Sequence, residues 1–392
     1  MKIIQNKLVL LLPLIVIAVI VIFSLTAVPT VHPTPKNLPI AIVNQDQGAE
    51  VPGQGKLNRG ELLAAKVMES ASSTAANGEP PIRWIKVSSE AEAQVGLNNQ
   101  NYYAALIIPA DFTAKQMSLL SVAPVSPQLR IYVNQGMNMS AATMASTMLT
   151  QLVDKLNDQV RTELLAAASK QGGTLTVEQA SALASPIQKE VLLANPIGTH
   201  SANGNAPISM FQPLWMGSLV GAILFFLAAR KQQWNGRKGR LAMRFMQIAI
   251  GAVAAVAAGL VFTWAADGLL GLHIPSFMDT AWMLALSYLT FFLMISAILA
   301  WIGYAGVPLF VLVLFFGGPL LGMAPELMSS FYRNWIYSWL PMRFMVEGLR
   351  ELFYFGQSFH FGTASLTLVS IAGASAIVLL LSALKPMPDH VN

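Results

Sequence analysis

The chain has 392 residues, of which 54% are hydrophobic and only 11% charged, whereas a soluble globular protein carries charge on about a quarter of its residues; the deficit points to lipid. The net charge is +5, but the basic residues are spread along the chain with one cluster beside an apolar run, so nucleic acid is set aside as a partner. The absence of cysteine removes disulfides, thiolate catalysis, iron–sulfur clusters and cysteine-type zinc sites.

The first apolar run covers residues 8–27. It is longer than the apolar core of a signal peptide, and Leu25 would fill the small-residue position of a cut after Ala27. It reads as an uncleaved signal anchor, and residues 1–28 form the first domain.

A Pro-rich spacer over 28–37 follows. Strands are expected at 38–43, 82–87, 104–108 and 129–133, with helices at 59–69, 90–97 and 111–120 between them. Pro109 closes a strand and Asp111 is placed to cap the next helix. Helical patterns then cover 139–170 and 177–193, and a Gly/Asn/Pro linker covers 195–207. Strands alternating with helices predict an α/β or α+β domain over 29–207.

Five more apolar runs follow in a third domain, 208–392, at 211–229, 245–266, 281–301, 305–324 and 363–384. A helix of about 20 apolar residues crosses the hydrocarbon core. The fold class is therefore a polytopic α-helical membrane protein of six spans, with the α/β or α+β domain between spans 1 and 2. None of the six runs contains Asp, Glu, Lys or Arg, which argues against proton coupling through the bilayer.

Arg230, Lys231, Arg237, Lys238, Arg240 and Arg244 lie between spans 2 and 3, whereas the next connection, 267–280, has no Lys or Arg. The positive-inside rule puts that basic loop and both termini in the cytoplasm and residues 29–207 outside, in the plasma membrane. Topology and contact with anionic lipid account for every charge of the loop; the competing reading is a coupling element for a nucleotide-binding partner. Arg333, Arg343 and Arg350 fall outside against the rule, in a long connection read as partly re-entering the bilayer.

That connection holds the best polar constellation. Arg343, Glu347, Arg350, Glu351 and Tyr354 form one helical stripe. One reading is a helix lying in the outer interface with its charges in water. The other is an element lining the exit of a substrate path. Gly217–Gly221 and Gly318–Gly322 are G-x-x-x-G pairs suited to close helix packing, within one chain or between two. Pro308 and Pro319 imply a weakened or kinked span.

There is no G-x-x-x-x-G-K-[ST] and no H-E-x-x-H. The five histidines, at 32, 200, 273, 360 and 390, stand alone, and Asp46, Asp111 and Asp154 are scattered. Capping and solvation explain those aspartates as well as catalysis does. No nucleophile–base set is present, so no enzyme activity, metal or cofactor is expected.

The segments LPIAIVNQDQGA, LNRGELL, YYAALIIPADFT, LRIYVNQGMN and LPMRFMVEGLRELF, in this order, resemble the YhgE/Pip group of the ATP-binding-cassette type-2 permease superfamily. The layout of one span, a large outer domain and five more spans is similar too. The chain lacks the long outer coiled-coil insertion of many members, and is closer to compact relatives such as the nitrosoguanidine-resistance proteins. The resemblance implies export or toxin tolerance, and in some relatives phage adsorption. It also implies two six-span halves, hence a homodimer, with energy from a separate ATPase subunit or an ion gradient. The expected function is an exporter half-transporter for amphiphilic or membrane-derived compounds. The alternative is a membrane-anchored surface binding protein for an envelope partner or phage.

Overall fold

The structure is a computed structural model that describes residues 16–22, 24, 25, 28, 31, 33–51, 55–73, 79–170, 174–232 and 236–385. The expected first span, 8–27, lies largely outside the described residues; 16–22 are helical. The chain forms two units. One comprises Thr34–Pro196 and Glu326–Met328, the other Met1–Pro33, Ile197–Pro325 and Ser329–Asn392.

The first unit is built on a five-stranded sheet of order β4-β1-β5-β6-β7. Its strands are β1 Leu38–Asn44, β4 Ile82–Val87, β5 Ala104–Ile108, β6 Gln128–Asn134 and β7 Gln188–Ala194; β2 Ala49–Val51 and β3 Gly55–Leu57 make a separate hairpin. β4, β1 and β5 are parallel, β6 runs antiparallel to β5, and β7 is parallel to β6. β1 and β5 read as continuous apolar runs because helices cover both faces of the sheet. On one face Ala41, Val43, Ala105 and Ile107 pack with Ala93 and Leu97 of helix α2, Glu90–Asn98. The alternate residues, among them Ile40, Ile42 and Leu106, are fully buried on the other face. Helix α1 (Arg59–Ser73), α3 (Phe112–Ser118) and the long α4 (Met139–Lys170) belong to that side. Ala141, Ala142 and Ala145 keep α4 close to the strands.

The helix expected over 177–193 is a correction. Only Val177–Ala184 is helical, here α5, and Gln188–Ala194 is the edge strand β7. Pro186 accounts for the break, since the residue before a proline is pushed out of the helical region. The segment beyond it pairs with β6 through the whole strand.

Among the described residues four helical stretches are long and apolar enough to cross a membrane: Ala206–Arg230, Gly236–Gly268, Phe277–Leu321 and Thr363–Leu384. With the α/β unit they make a polytopic α-helical membrane protein. The third stretch, of 45 residues, exceeds one crossing and doubles back. Its first helix, Phe277–Ile302, ends at Gly303, whose φ of 64° is left-handed backbone that favours glycine. A 3₁₀ turn, Gly303–Gly306, leads into Val307–Leu321. Tyr304 stacks edge-on against Phe226, near the end of helix Phe211–Arg230, at 5.2 Å. A Cβ on Gly317 would meet Phe211, at the start of that helix, at 3.3 Å. Val307–Leu321 therefore runs back along Phe211–Arg230. Pro308 sits in its first turn, where a missing N–H costs little, and only Pro319 is interior.

Candidate functional sites

Pro341–Tyr354 is a helix, entered through extended backbone at Leu340. Pro341 occupies the first turn, where its fixed φ suits helix entry. Met342, Met345, Val346 and Leu349 are fully buried, within 1% exposure. Met342 reaches Gly317 of helix Val307–Leu321, and helix Pro341–Tyr354 packs on helices Phe277–Ile302 and Thr363–Leu381. Gly348 permits this approach, since a Cβ there would fall 1.9 Å from Met283 Cε.

The polar stripe is part-buried at Arg343, Glu347 and Glu351 and buried at Arg350 and Tyr354. Arg343 and Glu347 are half-buried and form an ion pair at 3.3 Å. The Arg343 guanidinium also lies over the rings of Tyr337 at 5.0 Å and Phe344 at 4.7 Å. Burial pushes the Glu347 carboxyl up, against the pull of Arg343 and Arg350. Arg350 is 7% exposed and donates to the Leu321 carbonyl at 3.3 Å. Leu321 ends helix Val307–Leu321, so the cation sits at the negative end of its dipole. Burial raises Glu351 while His360 lowers it. Tyr354 is buried, its hydroxyl pushed up to about 12 by desolvation; it finds no hydrogen-bond partner among the described residues. The stripe is wide enough that one edge meets the helix bundle, and Arg350 and Tyr354 fall on that edge.

The two glycine pairs differ. A Cβ on Gly221 would come 2.7 Å from the Tyr288 hydroxyl, and one on Gly217 would lie 3.8 Å from the same ring. That face is occupied within the chain. Gly318 is exposed with nothing within 4 Å, and Gly322 would meet only the Pro319 carbonyl at 3.6 Å. Among the described residues nothing covers Gly318 within 4 Å.

The basic residues gather at one end of the helical unit. Arg230 lies over the rings of Phe226 and Tyr304 at 5.7 and 5.9 Å. Arg240 donates to the Lys385 carbonyl at 2.9 Å, and Lys385 Nζ donates to the Trp301 carbonyl at 2.7 Å. Arg244 donates to Gln247 Oε1 at 3.0 Å, while Lys231, Arg237 and Lys238 are exposed. At the opposite end His273 N–H donates to the His200 carbonyl at 3.0 Å. Exposed aromatics mark both ends: Trp264, Trp282, Trp335 and Trp339 at this second end, Phe245, Trp301 and Tyr304 at the basic one. Such rings are enriched at the two membrane–water interfaces.

Sequence reasoning missed the polar centre of the α/β unit. Asp111 stands at the N-cap of α3 but makes no capping bond; it pairs with Lys115 at 2.8 Å. The cap comes from Asp46, 8% exposed, beyond the end of β1. Its carboxylate accepts from the amides of Thr113 (3.0 Å), Gly60 (2.9 Å) and Gly48 (3.3 Å), and from the Thr113 hydroxyl. The Thr113 oxygen in turn accepts from Arg59 N–H at 2.8 Å. One carboxylate thus holds together the N-termini of α1 and α3. Gly48 is required by its φ of 70° and by a close approach, since a Cβ would fall 2.5 Å from the Leu57 carbonyl oxygen. The sequence signal was the polar NQDQG following a buried strand. At the far edge, Glu326 joins this unit: its backbone carbonyl accepts from Lys36 N–H and its carboxylate from the Tyr103 hydroxyl, both at 2.8 Å.

Among the described residues no His, Asp and Glu groups cluster as a metal site would require. Asp154 pairs with Lys189 at 2.6 Å on the surface.

Compared with known proteins, the chain is 28% identical over 131 residues to the uncharacterized protein YhgE of Bacillus subtilis (strain 168). That alignment takes in 33% of this chain and 15% of YhgE, so the chain matches less than a sixth of that relative's length. No solved structure matches it. A family model described as protein of unknown function DUF3533 matches residues 8–364. The chain belongs to the DUF3533 family.

Proposed function

We propose that the chain is a permease-like membrane protein, an exporter half-transporter that moves amphiphilic or membrane-derived compounds and works as a homodimer. In this reading it has six spans in the plasma membrane, with both termini and the basic end in the cytoplasm and residues 29–207 outside. The observation that carries the reading is helix Pro341–Tyr354, with Arg343, Glu347 and Arg350 drawn into the helical unit at the end away from the basic residues. An anchor for a surface domain has no use for charges held there against their desolvation cost. A path for amphiphiles does, because a polar head must leave water beside an apolar wall. The Gly318 face, uncovered among the described residues, supports dimerisation there. The resemblance of its sequence segments to type-2 permeases supports it as well, with energy from a separate nucleotide-binding ATPase.

The test is tolerance. A host lacking the gene is challenged with cationic, anionic and neutral amphiphiles, with and without the chain. Wild type raises tolerance to at least one class, and Glu347→Gln changes which class while membrane levels stay equal. If neither chain alters tolerance, the surface-binding alternative replaces this reading.

A further inference from the structure

In the α/β unit, α1, α3 and the second half of α4 leave a groove of about 360 Å³. Phe112, Leu63, Leu156 and Ile187 in its lining are buried and apolar. Leu62 also lines it and is 61% exposed. Gln116 lines it too, is 5% exposed, and its amide oxygen has no donor among the described residues. A buried acceptor left unmade costs about 1–3 kcal/mol, and a turn of the Gln116 amide toward the groove it lines would let this oxygen accept an O–H or N–H from outside the chain.

The charges on the rim complete the pattern. Among the described residues Arg59 has no carboxylate partner, and the Lys66 ammonium donates to the neutral Gln159 Oε1 at 2.8 Å rather than to a carboxylate. Glu163 is the one acidic lining residue, so the two cations leave the rim positive. The location fits as well. Arg59 opens the helix that follows β1 and the β2–β3 hairpin, and Phe112 opens the helix that follows β5, so the groove abuts the carboxyl ends of β1 and β5. β1 is flanked by β4 on one side and β5 on the other. The chain order reverses there, and open α/β sheets bind ligands at such switch points.

We propose that this groove binds a single-chain anionic amphiphile with a hydroxyl or N–H close to its charged head. The chain lies on the apolar floor, the anion meets Arg59, and the donor satisfies Gln116 Oε1. The volume is near the lower bound of ligand sites, room for one acyl chain and too small for a two-chain phospholipid. The assignment stands apart from transport, since a binding protein and a permease could both use the site.

The experiment uses the full chain in phosphatidylcholine nanodiscs and a 1-acyl lysophosphatidic acid with a diazirine in its acyl chain. After irradiation, adducts are mapped by peptide mass spectrometry. Saturable labelling is expected in peptides spanning 57–66 and 156–163. Arg59→Gln lowers it about tenfold, the loss of one charged hydrogen bond. Gln116→Leu lowers labelling by this probe several-fold but not by the analogue lacking the free hydroxyl. Leu62→Arg, at an exposed position, blocks both probes without changing thermal unfolding. Labelling confined to the helical unit overturns the proposal, as does groove labelling indifferent to both Arg59→Gln and Leu62→Arg.

Discussion

Removing the Asp46 carboxylate should loosen the α/β unit at the ends of two strands at once. In Asp46→Ala the buried amides of Gly60 and Thr113 lose their acceptor. Each stranded donor costs about 1–3 kcal/mol, so the pair costs roughly 4 kcal/mol, a large share of the roughly 5–15 kcal/mol that holds a domain together. Asp46→Asn keeps the size but turns an NH₂ group toward one of those amides, about half the cost by the same reckoning. Hydrogen–deuterium exchange of the full chain in nanodiscs measures this directly. Peptides over 58–68 and 104–118 should exchange roughly a thousandfold faster in Asp46→Ala, following a tenfold change per 1.4 kcal/mol, and roughly thirtyfold faster in Asp46→Asn. Protection of both peptides within threefold of wild type in Asp46→Ala would refute the reasoning.

Gly221→Leu must displace Tyr288 and should destabilise the helical unit by about 1–3 kcal/mol, read as a lower detergent melting temperature. A Cβ on Gly318 meets no described residue within 4 Å; Gly318→Leu should leave melting unchanged but lower the yield of cross-linked dimer. Burial raises the Glu347 pKa, so its contribution to stability is fully present below the ordinary carboxylate pKa and is lost as pH rises through the raised value. Intrinsic-rate-corrected exchange of 341–354 should therefore be better protected at pH 4.5 than at pH 7, and Glu347→Gln should shrink that difference to the part left by Glu351, whose carboxyl burial also raises. Reporters inserted after Gln171 and after Asn235 should report opposite sides of the membrane; the same side for both would contradict the six-span topology.

Much of this was legible in the residues. β1 and β5 stand where uninterrupted apolar runs put them, because central strands covered on both faces leave a plain signal, and β4 and β6 stand where apolar residues interleaved with polar ones put them. β7 was not legible: QKEVLLA carries good helix formers, and its conformation follows from pairing with β6, a contact that local propensity does not contain. Asp111 was the obvious cap by position, yet Asp46, distant in sequence, reaches the amide first. The stripe from Arg343 to Tyr354 was visible as a helix face, but its burial depends on where the ends of neighbouring helices fall. Arg350 finds Leu321, 29 residues earlier. The glycine pairs looked alike in sequence; only the position of Tyr288 separates the covered pair from the other.

The central claim is that this chain moves amphiphiles out across the membrane. Cells lacking the gene, with or without the restored chain, are loaded with a fluorescent single-chain amphiphile and resuspended in dye-free medium with an acceptor, and the loss of cell fluorescence is followed. Faster efflux with wild type, slowed by Arg350→Gln at equal membrane abundance, is the predicted result. Equal efflux with and without the chain, across anionic, cationic and neutral probes, would contradict it.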